Sequence, residues 1–177
     1  MQLIRRSQSG DREAFEELVT GYRDVLTRTA YLAARDHHVV PDILQETLIQ
    51  IWRDLPAYRP HGSFKAWVLK ILHNQASRQY RKKRVETVPL DGASNVTSDM
   101  GNPLEAVARE EAAGHLRAAL KTLNHDHREV LVLRYYADLT VPEIAKVLGC
   151  RPGTVKSRLS RALDKLEAGL VSESFAE

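Results

Sequence analysis

The sequence predicts an all-α protein made of two small helical domains joined by a flexible linker, with a helix-turn-helix in the C-terminal domain. Apolar residues recur at three- and four-residue spacing along most of the chain, which is the period of an amphipathic α-helix. No segment shows the alternating pattern of a β-strand of useful length. Residues 85–103 lack periodicity and are rich in Gly, Pro, Ser, Asn and Asp. The predicted units are therefore residues 1–84, the linker 85–103 and residues 104–177.

Three long helices are predicted in the N-terminal domain from their apolar spacing and from the residues at their starts. The first opens near Asp11 and keeps its apolar residues on one side as far as Leu26. Pro41 and Asp42 begin the second helix, and Ser63 caps the third. The second helix is expected to turn inward Ile43, Leu44, Thr47, Leu48, Ile51 and Trp52. The third is expected to turn inward Phe64, Trp67, Val68, Ile71 and Leu72.

Four helices are predicted in the C-terminal domain. Apolar spacing places the first between Leu104 and Leu123, and Asn124 is a suitable cap for the second. The last two lie between Thr140 and Ala162 and are separated by a glycine. In the second helix of this domain, the side chains expected to face the core are Val130, Leu131 and Leu133.

The segment from Thr140 to Ala162 has the spacing of a DNA-binding helix-turn-helix. Thr140 and Glu143 have the spacing of a capping box, and Gly149 permits a tight turn after the first helix. Between Arg151 and Lys165 the chain carries five cations and one acid. An ordinary helical hairpin with a solvated basic face does not explain this imbalance, whereas a recognition helix that enters a major groove does.

Charge is unevenly distributed along the chain. Residues 1–84 contain 15 Lys and Arg against 9 Asp and Glu, a net charge of +6, and residues 85–104 have a net charge of −3. Residues 105–177 contain 11 of each sign, with the cations concentrated in the last basic helix. This pattern suits a polyanionic partner.

Several classes of function are disfavoured by the composition. Cys150 is the only cysteine, which excludes an internal disulfide and a cysteine-cluster zinc site. The seven histidines do not have metal-ligand spacing, so no metal is expected. No phosphate-binding loop or catalytic motif occurs, so we expect no enzyme activity, no cofactor and no small-molecule substrate. No apolar run reaches membrane-spanning length and no signal peptide is recognisable, so we expect a cytoplasmic protein without membrane insertion.

Two distant segments resemble one family. The motif DILQETLIQIW, the loop after it and the run SFKAWVLKILHNQASRQYRKKR resemble the sigma-factor domain that binds core RNA polymerase and the −10 promoter element. The helix-turn-helix, with its TVKSRLSRA ending, resembles the sigma-factor domain that reads the −35 element. Two such domains with a short linker match the extracytoplasmic-function (ECF) group. The resemblance implies core RNA polymerase and promoter DNA as partners.

The resemblance also assigns roles to residues of the N-terminal domain. Asp42, Leu44, Gln45 and Glu46 fall on the motif that docks on the clamp helices of the polymerase's largest subunit. Without the resemblance, the polar residues of this set would be read as helix-capping and solvent-facing positions. The loop from Leu55 to Ser63 matches the segment that captures a flipped base of the −10 strand. The candidate −10 contacts in this loop and in the following helix are Tyr58, Arg59, His61, Asn74, Ser77, Arg78 and Arg81. Tyr58 has an equal alternative as a loop anchor on the core.

In the C-terminal domain the resemblance points to the second helix of the helix-turn-helix. The candidate −35 contacts are Arg151, Thr154, Lys156, Ser157, Arg158 and Arg161. The acidic linker resembles the segment that threads the RNA exit path of the polymerase, and its alternative is a plain tether.

The implied function is that of a sigma factor that joins core polymerase, reads the −10 and −35 elements and traps a melted base. Members of the group are commonly held inactive by an anti-sigma protein, so such a partner is expected. The alternative is a stand-alone helix-turn-helix transcriptional regulator that acts without core polymerase.

Overall fold

The computed structural model describes residues 2–34, 36–60, 62–86, 120 and 122–174. Every regular element in these ranges is helical, which confirms the predicted all-α class. In the N-terminal domain the α-helices are α1 (Gln2–Gln8), α2 (Arg12–Ala33), α3 (Val40–Asp54) and α4 (Phe64–Glu86). Short 3₁₀ turns, His37–Val39 and Leu55–Ala57, flank α3.

The predicted cap of α4 is present, and α2, which was predicted to open near Asp11, is capped by that residue. The Asp11 carboxylate accepts a hydrogen bond from the amide of Ala14 at 3.0 Å, and the Ser63 hydroxyl accepts one from the amide of Ala66 at 3.1 Å. Each bond satisfies an amide in the first turn that lacks a partner within its own helix. α4 continues two residues beyond the domain boundary predicted at residue 84.

The inward stripe predicted for α3 is narrower than expected. Ile43, Thr47 and Ile51 are buried, but Leu48 is 41% exposed and Trp52 is 36% exposed. The buried three repeat every four residues and define the centre of the inward face. Leu48 and Trp52 each follow a centre residue by one position, which rotates them by roughly 100° towards the edge of that face. The prediction that these two side chains lie in the core is therefore wrong.

In the described part of the C-terminal domain the helices are α5 (His125–Leu131), α6 (Val141–Leu148) and α7 (Pro152–Ser174), and a π-helical segment, Val132–Tyr136, follows α5. The predicted cap of α5 is present, because the Asn124 side chain accepts a hydrogen bond from the amide of His127 at 2.9 Å. Val130, Leu131 and Leu133 are buried as predicted.

Part of the predicted organisation lies outside the described residues. This applies to the linker beyond Glu86, to most of the helix predicted between Leu104 and Leu123, and to His61. Leu120 and Leu123 are described, and both are buried as that helix pattern anticipated.

The two domains pack against each other. One cluster of buried apolar side chains runs through both, from Leu26 and Leu69 in the N-terminal domain to Leu133 and Ile144 in the C-terminal domain. α4 lies against α6, and α2 lies against α5 and the π-helical segment. None of the helices in the described ranges is both long enough and apolar enough to cross a membrane.

Candidate nucleic-acid and protein interfaces

The helix-turn-helix begins at a complete capping box. The Thr140 amide donates to the Glu143 carboxylate at 2.8 Å, and the Glu143 amide donates to the Thr140 hydroxyl at 3.4 Å. Gly149 ends α6 with φ 63° and ψ 33°, a left-handed conformation that glycine adopts without the cost a Cβ imposes. The chain then turns into α7 at Pro152.

Apolar side chains fix how α7 crosses α6. Ile144, Ala145 and Val147 of α6 are buried, as are Val155 and Ala162 of α7. Val155 and Ala162 are seven residues apart, so they mark a single inward stripe of α7. Leu159 and Leu166 of α7 also pack against the core, and the other sides of that helix are left for solvent or a ligand.

The candidate −35 residues lie on these outer sides of α7. Arg151, Lys156, Ser157 and Arg161 are exposed, while Thr154 and Arg158 are half-buried. Positions 154, 157, 158 and 161 repeat at three and four residues and share one face. Lys156 lies roughly 200° around the helix from position 154 and faces elsewhere. The structure therefore groups five of the six candidates, counting Arg151 at the start of the helix, and separates Lys156.

Two residues of α5 lie beside this basic face, and sequence reasoning missed both. Asp126 forms an ion pair with Arg158, with 2.7 Å between Oδ2 and Nη2. His127 is buried, and that burial, with the positive charges of Lys165 and Arg161, lowers its pKa. No local pattern links α5 to α7, since the contact arises from the way the two helices pack.

A second basic face lies on α4. Asn74, Arg78 and Arg81 are exposed and Ser77 is half-buried, at the three- and four-residue spacing of one helix face. The Arg81 guanidinium donates from Nε to the carbonyl of Ser77 at 3.1 Å, which holds it along the helix. The four candidate −10 residues of this helix are thus brought together.

The loop before α4 carries the other described −10 candidates, and these do not share one exposed face as the candidates of α4 do. Tyr58 is only 8% exposed, and its ring packs against Phe64 and Trp67 at centroid distances of 5.3 and 4.8 Å. Burial raises its pKa, and the nearby Tyr22 adds to this effect. Gln8 of α1 donates to the carbonyl of Tyr58 at 2.9 Å and so ties the loop to the N-terminal helix. In this conformation Tyr58 is a core anchor, whereas Arg59 is exposed.

The candidate polymerase-binding residues lie on the outer side of α3. Asp42, Gln45 and Glu46 are exposed and Leu44 is half-buried. The exposed Leu48 and Trp52 extend the same side, and Trp52 rests its ring edge-on against Phe15 at 4.7 Å. We call these six residues of α3 the α3 outer face. Its apolar part could not have been found from sequence, because six stripe positions in fifteen residues is an ordinary density for a helix that is buried on one side.

Two stretches of the chain match family models. Residues 18–86 match Sigma-70 region 2, and residues 114–166 match Sigma-70, region 4. The RNA polymerase sigma factor CnrH of Cupriavidus metallidurans is 30% identical over 97% of this chain and 94% of its own length. The ECF RNA polymerase sigma-E factor of Salmonella typhimurium is 30% identical over 93% of this chain and 91% of its own.

The chain belongs to the ECF RNA polymerase sigma factors.

Solved structures agree with this assignment. The structure of CnrH in complex with the cytosolic domain of CnrY has a TM-score of 0.67 and 26% identity, over 96% of each chain. The sigma factor RpoE of Bartonella quintana in complex with the anti-sigma factor NepR has a TM-score of 0.72 and 26% identity, over 88% of this chain and 97% of that one.

The predicted family and function are confirmed. This sigma factor directs transcription initiation, and the alternative of a stand-alone regulator is not favoured. Its α3 and α4 lie in the region 2 match, and its helix-turn-helix lies in the region 4 match. Across the ranges that the structure describes, no three His, Cys, Asp or Glu side chains converge as a metal site requires.

Proposed function

We propose that this ECF sigma factor joins core RNA polymerase through the α3 outer face and reads a promoter with two basic helix faces. The observation that carries the proposal is that all three faces are exposed and lie on different helices. The α3 outer face is acidic and apolar, whereas those of α4 and α7 are basic. A single chain can therefore hold a protein partner and two segments of DNA at once.

The composition of the α3 outer face suits a protein partner. Asp42 and Glu46 offer carboxylates that pair with cations, and Gln45 offers both a donor and an acceptor. Leu48 and Trp52 add apolar surface beside them. A polar group next to an exposed Trp is typical of a protein interface, where large aromatic side chains carry much of the binding energy.

The basic faces suit the two promoter elements. At the start of α7 and along it, Arg151, Thr154, Ser157 and Arg158 would contact base edges of the −35 major groove or the adjoining backbone. Arg161 and Lys156 would mainly hold phosphates. On α4, Asn74 can pair with an adenine edge at the −10 element, while Arg78 and Arg81 neutralise the backbone.

For strand melting, the exposed part of the 55–63 loop is the proposed contact. Arg59 is exposed, with Nη1 donating to the carbonyl of Tyr58 at 3.3 Å, and its guanidinium can hold a phosphate of the displaced strand. Tyr58, packed beneath the loop, supports its shape, and it would stack on a flipped base only if its ring left the cluster with Phe64 and Trp67. His61 remains a candidate contact of the same loop.

The remaining proposals concern regulation and place of action. The similar RpoE was solved in complex with an anti-sigma factor. We propose that an anti-sigma protein also holds this chain. Because its proposed partners are polymerase and DNA, we propose that it acts in the cytoplasm and works by binding, without catalysis of its own.

The test is whether promoter binding depends on core polymerase. We expect the purified chain to co-elute with core polymerase and the complex to retain a promoter duplex that the chain alone binds weakly. Equal retention of the duplex with and without core would favour the stand-alone regulator. Failure to co-elute with core at micromolar concentration would contradict the proposal.

A further inference from the structure

We propose that binding of this chain to promoter DNA takes up a proton at His127, a buried histidine of α5 that lies beside the cations of α7. The inference rests on the proposed function, because it needs DNA phosphates to come close to α7. It deepens that function by making the strength of the −35 contact depend on pH on the acid side of neutrality.

His127 is enclosed where α5 meets α7. The residue is only 8% exposed, and its Nδ1 atom is buried with no hydrogen-bond partner in the part of the chain that the structure describes. A protonated imidazole carries an N–H donor at both ring nitrogens, so protonation would place an unsatisfied donor at Nδ1. The surroundings of the ring therefore favour its neutral form.

Three cations of α7 lie beside this ring. Arg158, Arg161 and Lys165 fall within roughly 60° of one another around the helix axis. Burial of the ring lowers the pKa of His127, and the positive charges of these three side chains lower it further. Asp126 opposes this effect, but its carboxylate is paired with Arg158 at 2.7 Å. In the free chain His127 is thus neutral at neutral pH.

The other charged groups of α5 face away from this ring. His73 of α4 lies 2.6 Å from Glu129, between Nδ1 and Oε1, and Nε2 of His125 lies 3.6 Å from the other carboxylate oxygen. Glu129 and His125 are each two residues from His127, which places them roughly 200° around the helix. Arg128 donates to three backbone carbonyls. These groups are engaged with one another or with the backbone on other sides of α5.

Two further elements pack against α5, and their charged groups are held in other contacts. In the π-helical segment, Arg134 donates to a backbone carbonyl in the turn before α6 at 2.9 Å. In α2, Asp24 accepts a hydrogen bond from the Tyr136 hydroxyl at 3.1 Å. The charge around His127 is consequently set by α7 and by Asp126.

DNA offsets the electrostatic part of this balance. Phosphates that contact Arg158 or Arg161 bring negative charge next to the cations that oppose protonation of His127. The ring stays buried, but the repulsion is reduced, so the pKa of His127 rises on binding. Proton uptake and DNA binding therefore strengthen each other.

The direction of the pH dependence follows from this linkage. Above the raised pKa of the complex the ring is neutral in both states, and protonation contributes nothing to affinity. The gain in affinity appears as pH falls through the pKa of the complex and is complete below the lower pKa of the free chain.

The first test observes the ring of His127 in the full-length chain. Its imidazole resonances, identified by their loss in His127→Gln, are followed by NMR from pH 8 to pH 5. The titration is repeated with a saturating DNA duplex that the polymerase complex has selected from a random pool. We expect a pKa below the ordinary histidine value in the free chain and an increase on addition of the duplex. An unchanged pKa in the saturated complex would overturn the coupling.

Lys165→Gln tests the electrostatic cause with the histidine in place. Lys165 is exposed and is not among the candidate −35 contacts. Removal of its charge should raise the pKa of His127 in the free chain. The control is Lys70→Gln, the same change at an exposed position of α4, which should leave that pKa as in the parent. Equal values for the two variants would refute a role for the cations of α7.

The consequence for promoter binding is measured with the chain bound to core polymerase. Fluorescence anisotropy gives the affinity for the selected duplex and for a shorter duplex that lacks the −35 segment, and the ratio of the two isolates the −35 contact. We expect this ratio to rise roughly fivefold from pH 8 to pH 5.5 in the parent. In His127→Gln, which keeps a polar side chain that does not titrate, the ratio should match the parent at pH 8 and stay constant.

The outcomes separate this coupling from the proposed function. The same rise in the parent and in His127→Gln, or a constant ratio in both, would overturn the coupling while the −35 contact stands. No preference for the longer duplex at any pH would refute the −35 contact itself, and the coupling with it.

Discussion

Glu143 illustrates how a single side chain serves two parts of the molecule. Burial alone would raise its pKa, but the hydrogen bonds from Ser63 and Thr140 outweigh burial, and the pKa is lowered from 4.5. The ionised form is thus favoured in the folded chain. A group of this kind contributes stability above its unfolded pKa and loses that contribution as pH falls through its folded value.

We therefore predict that acid weakens the fold partly through Glu143. The free energy of unfolding, measured in urea between pH 6 and pH 3, should fall below about pH 4.5 in the parent and fall less in Glu143→Gln. The control is Glu17→Gln, an exposed change on α2 that should keep the parent's acid dependence. Identical curves for the parent and Glu143→Gln would contradict this role.

Thr140 makes the reciprocal hydrogen bond of the same capping box, because its hydroxyl accepts from the Glu143 amide. Replacing Thr140 with Ala removes the acceptor for the Glu143 amide, so we predict a loss of about 1 kcal/mol in unfolding free energy. Urea denaturation at pH 7 measures it. Thr20→Ala, which removes an exposed hydroxyl within α2, is the control and should lose less.

Asp126 pairs with Arg158, one of the cations that we propose to contact DNA. Its ion pair with Arg158 is partly exposed, with side chains 29% and 49% accessible for Arg158 and Asp126, so its breakage should change stability by less than about 1 kcal/mol. In Asp126→Asn, Arg158 is free to meet a phosphate. We predict tighter binding of the polymerase complex to a promoter duplex and a salt dependence steeper by about one unit of slope.

The control for this experiment is Asp164→Asn, which removes a nearby exposed acid of α7 that is not paired with Arg158. Fluorescence anisotropy across a salt series gives both slopes. If Asp126→Asn and Asp164→Asn show the same slope of affinity against salt concentration, the effect of Asp126 comes only from its negative charge. A specific restraint of Asp126 on Arg158 is then refuted.

At the scale of elements, α3 has one side in the core and the proposed docking surface on the other. Its inner stripe packs in the domain, and its outer face combines carboxylates with an exposed Leu and Trp. We predict that Glu46→Gln weakens binding to core polymerase by about tenfold, the loss expected for one charged hydrogen bond, with no change in unfolding free energy. Affinity is measured by titration of labelled chain with core polymerase.

Glu17→Gln is the matched control, because it makes the same change at an exposed position of α2 outside the α3 outer face. It should bind core as the parent does. Equal affinities for Glu46→Gln and the parent would remove Glu46 from the docking surface.

Sequence predicted the elements whose signals are local. The helix start near Asp11 and the caps at Ser63, Asn124 and Thr140 could be predicted, because each capping residue lies within three residues of the amide it satisfies. The basic faces of α4 and α7 followed from helical spacing. The exposure of Leu48 and Trp52 was missed, because apolar spacing alone does not say how much of a stripe its neighbours cover.

At the scale of the whole molecule, the main surprise is the packing between domains. His73 and Glu129 are separated by 56 positions, and Ser63 and Glu143 by 80, so no local pattern relates them. The burial of Tyr58 has the same origin, since α1 and α4 enclose its loop. Such contacts depend on tertiary packing, and the sequence pattern of each domain alone does not contain them.

Tyr136 makes the stability of the contact between the two domains depend on pH in the alkaline range. Burial raises its pKa above 10.0, and its hydrogen bond to Asp24 across the interface raises it further. Contact between the domains thus favours the protonated phenol, and this contribution is present below pH 10 and is lost as pH rises through the raised value. We predict that energy transfer between two dyes, attached at the exposed positions Arg53→Cys of the N-terminal domain and Glu167→Cys of the C-terminal domain, falls above pH 10. The fall should be smaller in Tyr136→Phe. The same fall in both proteins would contradict a role for this phenol.

The central claim is that this chain directs core RNA polymerase to promoters, and reconstituted transcription tests it most directly. The purified chain and core polymerase are incubated with a library of DNA fragments randomised at two positions about two helical turns apart, and the start sites of the transcripts are sequenced. The account predicts initiation from a subset that shares both upstream elements, with loss of the −35 preference in Arg158→Ala. Initiation no greater than that of core alone would contradict it.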